Sequence, residues 1–441
     1  MPRTLPSGLA EVVIETSPFG RDSTTDLRAV SRRRERRAAH CRGPAQSGPN
    51  GDRSLTTPAR AVHRMAAVEA LDARHAERSS ARTQRSPVMH HTRSNLHHER
   101  SELTCTAWSE SPRLAVRRTD MPNPGPGQVL VRVEATSVNP IDVKRATGYG
   151  RRLLGLKGAA TLPVVLGNDV AGVVQEVGGG VSRFSRHQTV FGLVGTGRAP
   201  GAHASHVLVP QEQLVATSAP ASSSALAVLP YSFTTMWLAV MSTGLRPSNA
   251  TGMKVLVNGA NGGLGRLALH LLRTWGGRVT AICAQGTRED CVALGAEHAV
   301  ERGPGCIESL PADYEVVLNF GSWDDDPSLA LRLAANACGQ ATTVHPLLAN
   351  FDRLGWLRGA LASRRDWTKV RSLVAKRAPR ARYAWTLFKP DRKALDALDG
   401  CVREQGLSLP VGLAVRFQDA GAAFEHVASG KAGRAVLLPG S

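Results

Sequence analysis

Val255-Leu-Val-Asn-Gly-Ala-Asn-Gly-Gly-Leu-Gly-Arg266 decides how this chain reads. Val255 to Asn258 is a short apolar strand, Gly259 to Gly262 a turn, and residues 263–273 carry the apolar spacing of a helix. Between strand and helix stand Gly259, Gly262, Gly263 and Gly265, with Asn261 and Leu264 interleaved. A phosphate asks for glycine at this place: the turn is tight, the backbone must approach a pyrophosphate with no Cβ in the way, and the helix N-terminus offers unpaired N–H groups. A glycine-rich turn alone could be merely structural. Here the strand before it, the helix after it and a second strand about 20 residues on supply the context that dinucleotide binding demands. The spacing, with glycine at 259, 262 and 265, departs from the GxGxxG of the most familiar dehydrogenases.

Outward from this motif, residues 278–283 read as strand, 289–294 as helix, and 298–300 and 314–319 as further strands. Alternation at this pitch predicts a Rossmann domain, a doubly wound parallel sheet, over 226–390. Upstream the texture changes. Pro122-Asn-Pro-Gly-Pro-Gly127 is a turn, residues 128–135 alternate as a half-buried strand, and short strands at 162–165, 170–177, 188–191 and 206–209 follow. Residues 101–225 are therefore expected to form a β-rich domain. The segment 391–441, with a helix, a strand near Val411 and a tail from Phe417, either rejoins that domain or closes the parallel sheet.

The 441 residues suffice for two or three domains with buried cores. The 42% apolar, 21% charged composition excludes collagen, coiled coil and wholesale disorder. The net charge of +19 raises the question of nucleic acid, but its distribution answers it. Residues 1–100 hold 18 Arg, no Lys and ten acidic residues, and the other 341 carry only +11, so no specific nucleic-acid surface is required. The seven Cys are odd in number with no CxxC pair, which argues against a disulfide framework or a cysteine-ligated zinc and for a reducing compartment. No run of 18 apolar residues appears: the nearest, 225–241, is broken by Pro230, Ser232, Thr234 and Thr235. No transmembrane segment is expected, and the start lacks a secretory layout.

Residues 1–100 have almost no apolar periodicity and are expected to be disordered. They read as an upstream extension with Met65 or Met89 as internal starts, as an organelle presequence, or as an Arg-rich tail for nucleic acid. A cytoplasmic location follows from the first reading and a mitochondrial one from the second.

After the second strand comes Cys283-Ala-Gln-Gly-Thr-Arg288, with no acid before Glu289. An acid there would accept ribose hydroxyls and repel a 2′-phosphate, whereas a guanidinium suits that phosphate. NADP(H) is the expected cofactor, with Arg288 as its phosphate ligand. The alternative is a solvated Arg288 opening the next helix. Asn319 and Gly321, at the end of a later strand, fall where ligands collect in such sheets. His345, after another strand, is a candidate neighbour of substrate or nicotinamide.

With Ser137-Val-Asn-Pro-Ile-Asp142, Leu166-Gly-Asn-Asp-Val-Ala-Gly-Val-Val174, Thr235-Met-Trp237, residues 249–256 and Asn350-Phe-Asp-Arg-Leu-Gly355, the chain resembles the medium-chain dehydrogenase/reductase superfamily. It resembles the quinone oxidoreductase branch, and within it the reticulon-4-interacting protein group, mitochondrial NADPH oxidoreductases in animals. The resemblance runs from about Gln128 to the end. It implies a GroES-like β-rich catalytic domain before the Rossmann domain. Zinc members of the superfamily have Cys where Asn139 stands and Gly-His-Glu where Gly167-Asn168-Asp169 stands, and the structural-zinc cysteines are missing too, so no metal is expected.

The resemblance further implies Asn139 and Asp142 as pocket residues on one loop, unless they merely shape the turn beside Pro140. Tyr149, in a Gly-Tyr-Gly loop, is the candidate proton donor to a reduced oxygen, or else a packing residue. Thr235 would touch the nicotinamide end, or bond back to its own helix. Arg434 would contact the cofactor or close the cleft. The segment 351–390, with Trp356, Trp367, Tyr383, Trp385 and many arginines, suggests helices over the acceptor site or a homodimer contact. The function expected is zinc-independent transfer of hydride from NADPH to a quinone or enone, a small-molecule acceptor. The rivals are a 2-enoyl-thioester reductase and an NADPH-binding regulator with little turnover.

Overall fold

The computed structural model describes residues 99–217 and 220–440. The expectations for residues 1–98 lie outside this range. Sixteen strands and ten α-helices follow along the described residues. The first part holds β1 (Glu99–Ala107), β2 (Arg113–Asp120), β3 (Gln128–Val138), α1 (Pro140–Ala146), α2 (Arg151–Leu156), β4 (Val164–Val165), β5 (Asp169–Val177), β6 (Thr189–Leu193), β7 (His206–Pro210) and β8 (Leu214–Ala216). Helices α3 (Ser223–Leu226) and α4 (Pro230–Ser242) lead into the parallel part. There β9 (Lys254–Asn258), α5 (Gly263–Thr274), β10 (Arg278–Cys283), α6 (Arg288–Ala293), β11 (His298–Glu301), β12 (Val316–Asn319), α7 (Asp326–Ala330), β13 (Gly339–Thr342), α8 (Leu347–Arg377) and β14 (Arg382–Trp385) alternate. The chain closes with α9 (Arg392–Gln405), β15 (Val411–Arg416), α10 (Ala420–Ala428) and β16 (Arg434–Leu438).

The six-stranded sheet has the order β11-β10-β9-β12-β13-β14, parallel throughout. This is a doubly wound Rossmann sheet whose order reverses between β9 and β12, the crevice where such folds take ligands. Its central strands are covered on both faces, so Val255, Leu256, Val257, Val316, Val317 and Leu318 are all fully buried and read as unbroken apolar runs. Helix α5 covers one face with Leu267, Leu271 and Leu272.

The β-rich part is a seven-stranded sheet in which β3 pairs antiparallel with β5, β7 and β16. A smaller sheet of β2, β1 and β4 lies beside it. Residues 391–441 therefore rejoin the first domain, since β16 pairs with β3, and do not close the parallel sheet. One apolar cluster runs from Phe191 and Leu193 of β6 through Phe233, Met236 and Val240 of α4 to Val257 and Leu318 of the Rossmann sheet. The two lobes share this core, and α4 is the wall between them. The stretch Ser223–Ser242 is apolar and long enough to cross a membrane by composition, but α4 and Leu226 are packed in this core.

One local expectation is corrected. Asn139 and Asp142 do not share a loop: Asn139 caps α1, Pro140 starts it, and Asp142 lies in its first turn. The segment after His345 holds two helical runs, labelled together α8, that meet at a kink where Gly355 takes the non-helical φ of 78°.

Candidate functional site

At the end of β9 the chain turns back through Gly259 at φ 79°. A Cβ there would stand 2.9 Å from the backbone of Phe320 and Gly321, so the turn is pressed against the loop after β12. Gly265 is held closer still: its Cβ would meet the Gly259 carbonyl oxygen at 2.3 Å and Ala260 Cα at 2.5 Å. Gly262, the N-cap of α5, brings no side chain over the helix end. Asn261 turns its amide oxygen to accept the Ala284 N–H at 3.0 Å, tying the turn to the end of β10. Leu264 packs against the core below. What remains is a bare surface at the positive end of a 12-residue helix. It offers backbone N–H groups and the positive end of the helix dipole with no side chain over them.

Facing this surface is a polar cluster from both lobes. Arg434, on β16, donates to the amide oxygen of Asn139 and to Ser232 Oγ of α4 at 3.0 Å. A Cβ on Gly263 would stand 3.0 Å from its Nη1. Asn139 in turn donates to Asp169 Oδ2 at 2.7 Å, and Asp169 also accepts from Ser137 Oγ and, at 2.6 Å, from the Tyr231 N–H. Asp169 is fully buried. Burial pushes its carboxyl up to about 6, against the opposing pull of Ser137, Asn139, the Tyr231 amide and Arg434. Burial likewise lowers Arg434 from the usual guanidinium range. Asp142 is spent on backbone: it accepts the Asn139 N–H at 2.9 Å and the Gly167 N–H at 3.0 Å, pinning α1 to the start of β5.

Tyr149 stands between α1 and α2, with the Lys144 ammonium 5.6 Å from its ring centre. Burial raises its phenol above the usual range, and the charge of Asp352 adds to this, so it stays a protonated donor. Asp352, in the first half of α8, accepts the N–H groups of Gly150 and Arg152 and so holds the Tyr149 loop against that helix.

The remaining expected residues fall elsewhere or are otherwise engaged. Thr235 bonds back to the Tyr231 carbonyl at 2.8 Å, the helix-hydroxyl arrangement. Asn319 is fully buried and saturated: it accepts from Asn258 and the Gly321 N–H and donates to Ser322 O and Asp326 Oδ1. From Asp326 the chain of bonds continues to Tyr383 at 2.7 Å and on to the indole of Trp385, on which His345 stacks at 4.9 Å. Burial holds His345 down to about 4, a neutral imidazole. Asn319 and His345 thus belong to an internal brace behind the strand ends. Gly321 lies against the Gly259 turn.

Arg288 opens α6, exposed, beside the loop after β10. Among the described residues no acid pairs with it. Glu301, at the end of β11, accepts the Gly286 N–H of that loop at 2.8 Å, so the acid missing from β10 is partly supplied in space by β11. Sequence reasoning passed over Glu301, Asp169, Ser232 and Asp352. Asp169 carried a signal, an acid opening an otherwise apolar strand. Among the described residues no three His, Cys, Asp or Glu side chains gather where they could hold a metal ion.

Comparison with known proteins follows the same outline. Residues 125–219 match the alcohol dehydrogenase GroES-like domain. The bovine protein "NAD(P)H oxidoreductase RTN4IP1, mitochondrial" is 31% identical over 301 residues, 65% of this chain and 74% of the relative. Its zebrafish counterpart is 28% identical over 327 residues, covering 71% and 84%. Among solved structures, the quinone oxidoreductase of Coxiella burnetii superposes with a TM-score of 0.63 at 21% identity, over 77% of this chain and 99% of that one. The CurK enoyl reductase gives 0.62 at 19%, with coverage of 77% and 99%. At these identities the solved structures speak for the fold.

Proposed function

For this chain, which belongs to the RTN4IP1 family of NAD(P)H oxidoreductases in the medium-chain dehydrogenase/reductase superfamily, we propose zinc-independent transfer of hydride from NADPH to a quinone or an activated alkene. The observation that carries this reading is the cradle of Gly259, Gly262, Gly263 and Gly265 under Arg434. Its glycines pack turn, helix end and neighbouring loop so closely that Cβ atoms at 259, 263 and 265 would crowd protein atoms, and they leave the N-terminus of α5 bare of side chains, as a pyrophosphate needs. When bound, the cofactor supplies the hydride from C4 of its nicotinamide. The protein's part is to hold cofactor and acceptor in register and to offer a proton or hydrogen bond where negative charge develops.

Tyr149 is the proposed donor. Its phenol is protonated throughout the neutral range, and Asp352 fixes its loop without touching the hydroxyl. Tyr149→Phe is expected to lower kcat about tenfold or more while leaving the Kd for NADPH unchanged, by steady-state kinetics and fluorescence titration. An unchanged kcat would reduce Tyr149 to a packing residue.

The place where a zinc-binding relative needs thiolate and imidazole is filled here by Asn139, Asn168 and Asp169, all turned to hydrogen bonds within the fold. That donor set suits no tetrahedral zinc. Preference for NADPH over NADH is assigned to Arg288, whose exposed guanidinium is free to meet a 2′-phosphate, whereas Glu301 is engaged by the Gly286 amide. Arg288→Ala is expected to weaken NADPH binding about tenfold, the worth of one exposed charge-assisted contact, and to leave NADH binding as it was. Equal losses for both would place Arg288 off the phosphate. The relatives are named as mitochondrial, and this reading assigns the same compartment here in place of the cytoplasmic expectation.

A further inference from the structure

Beyond the kink at Gly355, helix α8 presents two leucines that nothing among the described residues covers: Leu357 is 75% exposed and Leu361 60%. Trp356, 37% exposed on another side of the helix, packs edge-on against Phe351 at 5.7 Å. Leu357 and Leu361 are one turn apart, and the next turn on that face carries Arg364 and Arg365. Single exposed apolar residues are ordinary, but two leucines one turn apart on one helical face beside a row of cations are not a solvated pattern. Residues 352–382 hold ten Lys and Arg against two Asp, and both acids have inward contacts, Asp352 with the α2 backbone and Asp366 with Asn350. Arg377 is spent on the carbonyls of Leu333 and Ala312. Arg358 and Arg364 are exposed and pair with nothing among the described residues, and Arg365 has only Asp366 at 3.7 Å.

We propose that this face, with Leu357 and Leu361 at its tip and Arg358, Arg364 and Arg365 beside them, docks the protein on an anionic lipid surface. Leucines at the level of the headgroups, with arginines meeting lipid phosphates, are the arrangement by which a helix lies in a membrane interface. Charge complementarity selects this occupant. A second copy applied through a twofold axis would set the same arginines against one another. The first half of α8 holds the Tyr149 loop through Asp352, so docking would bring that loop close to the lipid. The inference does not depend on the reductase reading.

The test is sedimentation of the full-length protein with phosphatidylcholine vesicles, with and without phosphatidylserine. Wild type is compared with Leu357→Ser/Leu361→Ser and with Arg364→Glu/Arg365→Glu. The arginines of residues 1–100 will also favour anionic vesicles, so the difference between variants carries the test. Each double variant is expected to lower partition to the anionic vesicles about tenfold or more, the charge variant more at low salt, with NADPH binding intact as the check on folding. Wild-type partition by either variant, or equal binding to both vesicle types, overturns the proposal. So does a wild-type dimer in the ultracentrifuge that Leu357→Ser/Leu361→Ser dissociates while vesicle binding stays unchanged.

Discussion

Gly265→Ala is expected to abolish NADPH binding, raising Kd by about 100-fold or more, by titration of cofactor fluorescence. The added methyl would sit 2.3 Å from the Gly259 carbonyl oxygen and 2.5 Å from Ala260 Cα and its carbonyl oxygen. All three are backbone atoms, which cannot swing aside as a side chain can. Relief requires α5 to move away from the turn, and that movement separates the helix N-terminus from the place where the pyrophosphate lies. About 3 kcal/mol of lost phosphate contact and strain suffices for the change. Gly305→Ala, whose Cβ would meet nothing within 4 Å, is the matched control. Its φ of 72° costs strain but leaves the cradle and the loop after β10 alone, so NADPH affinity should change little. A Gly265→Ala protein that binds NADPH normally would mean that the cofactor lies elsewhere.

Arg434→Met is expected to cost about 1–3 kcal/mol of stability near neutral pH, through the hydrogen bonds it gives Asn139 and Ser232 and the opposite charge it sets near Asp169. Arg434 is the guanidinium nearest to charge balance for Asp169, and it joins Asn139 of one lobe to Ser232 of the other. The pH dependence separates this account from a simple loss of packing. In the folded protein the Asp169 carboxyl is already raised from an ordinary 3.8 to about 6, so its share of stability is greatest at low pH and is lost as pH climbs through that window. Without Arg434 the folded value rises further and the loss continues to higher pH. The gap between wild type and Arg434→Met should therefore widen from pH 5 to pH 8, in denaturant unfolding of the full chain. In the background of Asp169→Asn the widening should vanish. A gap of the same size at both pH values would contradict an effect of the Arg434 charge on Asp169.

The cradle was legible because its requirement is local. Four glycines between a strand and a helix have one steric reason to be there, and the strands on either side announce the parallel sheet. The cap of α1 was legible in principle too: Asn139, Pro140 and Asp142 are an N-cap, a first-position proline and a first-turn acid, yet the family resemblance drew attention to a pocket loop instead. What could not be read were contacts that depend on tertiary closure. Arg434 meets Asn139 across 295 residues of sequence and Ser232 across 202. Nothing in either segment specifies the other. The same holds for Asp352, whose carboxylate holds a loop about 200 residues away, and for Glu301, which reaches the loop after β10 only because β11 is its neighbour in the sheet. Asn319 and His345 stood at strand ends, where ligands collect. Burial gave them instead to a hydrogen-bonded and stacked brace through Asp326, Tyr383 and Trp385.

The most direct measurement is the oxidation of NADPH and NADH by the full-length protein, in chelator, across a panel of quinones, enones and enoyl thioesters. Turnover with a quinone or an enone is expected, faster with NADPH than with NADH and indifferent to the chelator. Tight NADPH binding with no turnover on any acceptor, or turnover that chelator removes and zinc restores, would contradict it.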